Sequence, residues 1–139
     1  MDSTPIADEE LLFRRVPASM GWYDPTTGVL SPEAFHPNKQ RDATGISVSR
    51  EKFKSIEEAA RGLPGKSYYV AVLCAGDLRR NGIEVVPRPE TQAGYDPAHA
   101  ELPNLNASSY KADETLERQR VLVEELCLRV KGPFSSPDE

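Results

Sequence analysis

Apolar and polar positions along the chain alternate with two different periods, and each period marks its own kind of element. Leu11-Leu12-Phe13-Arg14-Arg15-Val16 reads as a first strand, stopped by Pro17. Gly45-Ile46-Ser47-Val48-Ser49 alternates strictly, the signature of a strand with one buried face. Ser67 to Cys74 is aromatic, β-branched and apolar almost throughout, which predicts a strand buried on both faces. Ile83-Glu84-Val85-Val86, stopped by Pro87, predicts another strand, and His99 to Leu102 a short edge strand.

Helical signals fall between these runs. Ser31 with Pro32 at the first helical position predicts a single turn through Phe35. Ser55 with Glu58 three residues on forms a capping box for a helix from Ile56 to Arg61, which Gly62 and Pro64 end. Asp77 starts a short helix through Arg80. Leu116, Val123, Leu126 and Val130, widened by Leu122 and Cys127, predict a helix over Asp113–Lys131, ended by Gly132-Pro133. The expected fold is α+β: a small mixed or antiparallel sheet of four to five short strands, with a long C-terminal helix packed on one face. Residues 10–134 form the single domain of this reading, 1–9 a flexible leader and 135–139 a flexible tail.

Composition sharpens that picture. The 139 residues suit one core, and 38% hydrophobic content with 12 prolines implies short elements and much ordered loop. A net charge of -5 argues against nonspecific nucleic-acid binding, which needs a basic face. The pairs Arg14-Arg15 and Arg79-Arg80 read as solvated faces. Cys74 and Cys127 lack metal or redox spacing and sit in apolar runs, so buried free thiols are expected. The acidic start is not a signal peptide, and no apolar run approaches the ~20 residues of a membrane span. A cytoplasmic protein with no membrane association follows as the expectation.

Candidate chemistry centres on Asp96-Pro97-Ala98-His99-Ala100-Glu101, because histidine alone has an ordinary pKa near neutrality. On a strand His99 and Glu101 face the same way, and a carboxylate can orient an imidazole. Ser47 and Ser49 share another strand face, and Arg50 beside them carries a planar fork suited to a carboxylate or phosphate. An arginine facing inward from the first strand needs a partner such as Glu101 or Glu84, or else a ligand. Arg14, Ser47, His99 and Glu101 are thus the catalytic candidates. Trp22, Tyr23 and Tyr95, with Arg50, are the binding candidates, since aromatics on loops serve as anchors; Tyr110 also flanks the His99 segment. His36 has Asn38 and Gln40 where a metal site would place ligands, so no metal and no cofactor are expected. Gly65-Lys66-Ser67 matches the end of a phosphate-binding loop, but Ala60 stands where its first glycine must be.

Two resemblances follow from these residues. An arginine on the first strand, a Ser-x-Ser strand and a late glutamate resemble, in order, ADP-ribosyltransferase-like domains. That resemblance implies that Arg14 and Ser47 hold NAD and Glu101 orients the ribose. Ser31-Pro32-Glu33-Ala34-Phe35-His36-Pro37, Ile46-Ser47-Val48 and Pro97-Ala98-His99-Ala100 resemble a group of small bacterial proteins of uncharacterised function. They share its Ser-x-x-Ala-Phe-x-Pro, Leu/Ile-Ser-Val and Pro-x-His-Ala segments over about residues 11–134, and the resemblance implies no activity. The expected function is a non-catalytic binding or accessory module acting through contacts with another protein. A small enzyme or toxin-like domain of ADP-ribosyltransferase-like type is the alternative, and the oligomeric state stays open.

Overall fold

Residues 4–38, 42–109 and 112–135 are described by the structure, a computed structural model. Six strands build its main sheet: β1 (Leu11–Pro17), β2 (Ile46–Arg50), β3 (Ser67–Cys74), β4 (Val86–Pro87), β5 (His99–Leu102) and β6 (Arg129–Ser135). Their order is β6-β3-β1-β2-β5-β4, and every neighbouring pair is antiparallel. Residues opposed across an antiparallel pair share a face, so the register assigns the two surfaces of the sheet. Leu12 opposes Leu73 and Arg50, Val16 opposes Tyr69, and Val48 opposes Ala100. These residues line the inner face, where Phe35, Leu78, Ile83, Leu105 and Leu122 complete the main core.

The outer face divides in two. Over β1 and β3, Phe13, Val70 and Val72 pack beneath the helix α1 (Ile56–Ala59) and its Ala59 and Ala60. β3 is therefore buried on both faces, as its unbroken apolar run requires. Over β2 and β5 the outer face carries Ser47, Ser49, His99 and Glu101, all half-buried. The Ser55–Glu58 capping box forms as expected, with both of its hydrogen bonds present. Ser31 caps its turn by accepting the Glu33 N–H. α2 (Ala75–Arg80) follows β3 directly and buries Leu78.

The expected α+β arrangement with four to five strands and a long C-terminal helix is corrected. The chain is mostly sheet, with a six-stranded antiparallel sheet and short helices. The longest helix, α3 (Asp113–Val121), runs on only through a π turn at Leu122–Leu126. From Arg129 to Ser135 the chain is strand, not helix. Leu126 to Val130 is a short apolar run, and such runs fit either period. The deciding factor is β3, which has β1 on one side and needs a second ladder on the other; β6 supplies it. Gly132-Pro133, read as a helix stop, instead marks the shift in register between Lys131 and Phe134 within the strand. β5 is likewise not an edge, because β4 pairs along its outer side.

Residues 4–10 also take part in the fold. Ile6 enters the main core, and Ala75 and Gly76 donate to the carbonyls of Glu10 and Asp8. Residues 1–3 and 136–139, within the expected leader and tail, lie outside the described residues. Among those described, no helix is long and apolar enough to cross a membrane.

Candidate functional site

The polar outer face of β2 and β5 brings three of the four catalytic candidates together. Asp96 sets the approach: its side chain accepts the Ala98 N–H at 3.0 Å and its carbonyl accepts the His99 N–H at 3.1 Å. That turn delivers His99 into β5 opposite Ser49, with Glu101 opposite Ser47. The His99 ring lies diagonally across the sheet. Its Nδ1 is 2.7 Å from the Arg88 carbonyl and its Nε2 is 3.0 Å from Ser47 Oγ. A carbonyl can only accept, so Nδ1 donates to Arg88, and Nε2 lies within hydrogen-bond reach of the Ser47 hydroxyl. Glu101 accepts from Thr44 Oγ1 at 2.6 Å and faces Arg88 Nε at 3.4 Å. Lys54 and Asp96 pair at 3.2 Å nearby.

A serine hydroxyl bonded to an imidazole whose other nitrogen is anchored has the form of a nucleophile beside its base. Here the same bonds link β2, β5 and the end of β4. An open groove beside β4, lined by Arg79, Ile83, Glu84, Val86 and Asn104, includes none of the four candidates.

Arg14 stands apart. It projects from the inner face of β1, where Nε donates to the Ala34 carbonyl at 3.0 Å and Nη1 to the Ser47 carbonyl at 2.9 Å. It meets the backbone of Ser47, while the Ser47 hydroxyl and Glu101 lie across the sheet. The set that would hold NAD is therefore divided between two faces. Glu101 has Arg88 and Thr44 as its partners, and sequence reasoning found neither. Arg88 directly follows the Pro87 strand stop, a signal that becomes useful only once β4 is known to pair with β5.

Arg50 is fully buried and its fork faces inward. It makes a bidentate pair with Glu10 at 3.0 and 2.9 Å, and it donates to the carbonyls of Thr4 and Pro5. The guanidinium also lies over the Phe53 ring at 5.0 Å. The carboxylate that its geometry suits belongs to this chain, so Arg50 is removed from the surface available to a ligand. Trp22 and Tyr23 are half-buried against the core, where Tyr23 meets Tyr69 edge to face at 4.8 Å. Tyr95 is 52% exposed on a separate hairpin of Glu90–Thr91 and Gly94–Tyr95. Tyr110 lies outside the described residues. His36 is close to the buried Gln119 of α3, its Nδ1 3.0 Å from the amide nitrogen, on the other side of the sheet from His99. Among the described residues no three of His, Cys, Asp and Glu converge as metal ligands would.

Both cysteines are free thiols. Burial pushes the Cys127 thiol above its ordinary pKa, against hydrogen bonds from the Arg129 and Val72 backbone and the charge of Arg129. The folded state thus holds this proton more tightly, and stability linked to it is lost as pH rises through the folded pKa. Iodoacetamide at about pH 8 is expected to alkylate Cys127 several-fold more slowly in the native protein than in urea. Equal rates, read by peptide mass spectrometry, would show that burial does not protect it.

No protein family, no curated protein and no solved structure matches the chain.

Proposed function

We propose that the protein is a non-catalytic, cytoplasmic binding module that acts through contacts with another protein. The observation that carries this reading is the first hairpin, Tyr23-Asp24 paired with Val29-Leu30, which stands outside the main sheet. Tyr23 and Leu30 turn inward to the core, while Val29 is 63% exposed and Met20, in the turn before it, 53%. The hairpin is thus anchored by two side chains and presents others, an arrangement suited to a rigid contact surface. The division of Arg14 from Ser47 and Glu101 supports the same reading over the ADP-ribosyltransferase-like alternative.

The test compares the wild-type chain with a Met20→Ser, Val29→Ser double variant as bait in extract of the native host. Both changes are at exposed positions and should shift the melting temperature little. A partner is expected to copurify in stoichiometric amount with the wild type and to be lost with the variant. A chain that elutes alone, or a partner retained equally by both, would overturn the reading.

A further inference from the structure

β6 ends the sheet on one side, so only one of its edges is paired to β3. Among the described residues no strand neighbours the outer edge, which presents backbone N–H and C=O groups. Leu128, Arg129 and Lys131 are exposed along it, Leu128 to 47%. Arg129 and Lys131 oppose Val72 and Val70, so their side chains share the outer face, with Arg15 of β1 opposing Val70 from the other side. Among the described residues neither joins an ion pair. Arg50, Lys54, Arg79, Arg80, Arg88 and Arg120, by contrast, each hold a carboxylate. In a chain of net charge -5, this edge is a cationic strip that no carboxylate among the described residues pairs with.

We propose that β6 is a docking edge for an extended, acidic segment of a partner protein, which adds as a seventh strand alongside Leu128–Lys131. Alternate side chains of an added strand face the same way. Acidic residues two apart would therefore meet Arg129 and Lys131, and apolar residues between them would lie beside Leu128 and Val130. Main-chain bonds provide affinity in this mode and the alternating side chains provide selection. A second copy of this chain fits poorly, because antiparallel pairing of two β6 edges sets their cations against one another. Edge lysines that block self-pairing thus favour a partner of opposite sign. Pro133 has no N–H to offer and the register shifts there, so the usable strip ends at Lys131. The inference rests on the protein-binding reading but uses a surface other than the first hairpin.

The test titrates the full-length, isotopically labelled chain with the acetylated octapeptide Glu-Val-Glu-Thr-Glu-Val-Glu-Thr. Amide shifts are expected along Leu128–Lys131 and in β3. Two controls separate strand addition from charge alone. The same peptide N-methylated at every residue keeps its charge but can donate from neither edge, and is expected to bind about tenfold or more weakly. Arg129→Gln with Lys131→Gln, at exposed positions, is expected to weaken binding about fivefold. Equal binding of the N-methylated peptide, or of a thymidine octanucleotide, would overturn the proposal, as would dimerisation through β6 in sedimentation. Because the probe is a defined peptide, its binding does not depend on Met20 and Val29. Failure of the hairpin test with success here would leave the edge standing as the sole partner surface; failure here alone would leave the hairpin reading intact.

Discussion

Arg50→Met is expected to lower the stability of the protein by about 3–5 kcal/mol, because it leaves the buried Glu10 carboxylate without its counter-ion. The Arg50 side chain is wholly inaccessible and that of Glu10 only 8% exposed, so water cannot take over. The guanidinium also holds the carbonyls of Thr4 and Pro5, which brings Ile6 into the core. Small domains are stable by only about 5–15 kcal/mol in all. The loss should therefore appear as a large fall in the urea midpoint with a similar slope, together with early proteolysis before residue 10. Arg50→Lys retains charge but loses the fork, and should fall between the two. An Arg50→Met, Glu10→Met double variant should recover most of the loss, since it removes the uncompensated charge. A single-variant cost under about 1 kcal/mol, the range of an exposed pair, would show that this pair does not hold the N-terminal segment.

Arg50 also shows where sequence reasoning reaches its limit. Its residue type announced a fork suited to a carboxylate or phosphate of a ligand, whereas the structure pairs it with a carboxylate of this chain. The partner is Glu10, forty residues away in the chain and brought close because β1 pairs with β2. Elements fixed by local chemistry were legible: β1 by its proline stop, β3 by its apolar run, and α1 by its capping box. β6 was not, because Leu126 to Val130 satisfies a helical stripe as well as a strand, and only the open side of β3 decides between them. The polar site was legible by halves. Period two placed Ser47 with Ser49 and His99 with Glu101, each pair on one face. Their meeting, and the roles of Arg88 and Thr44, depend on strand order, which no local pattern carries. Arg14 illustrates the converse: period two turns one of Arg14 and Arg15 inward without saying which, and the partners of Arg14 are backbone carbonyls, which leave no mark in a sequence.

Gly45→Ala is expected to destabilise the fold by about 3 kcal/mol, combining backbone strain of about 1–3 kcal/mol with a steric term of similar size. Gly45 adopts a φ of +144°, and a Cβ there would stand 2.7 Å from the Leu102 carbonyl oxygen and 2.9 Å from Pro103 Cα. Those atoms are main chain, next to the Ile46–Leu102 pair that opens the β2–β5 ladder, and both side chains of that pair are fully buried. Neither strand can yield without parting from the other. Gly28→Ala provides the contrast, since Gly28 also has a positive φ, +75°, but open space around the added atom. It should cost only about 1 kcal/mol, the strain alone. Urea unfolding of the two variants measures the difference, and equal costs would show that the approach of Leu102 does not constrain the ladder. The same displacement has a local readout, because Ser47 lies two residues from Gly45 and its hydroxyl bonds to His99. Gly45→Ala should therefore alter the imidazole resonances of His99 under native conditions, while Gly28→Ala leaves them unchanged. A polar site made of cross-strand bonds lasts only as long as its register, and at this end of the sheet the register depends on an absent side chain.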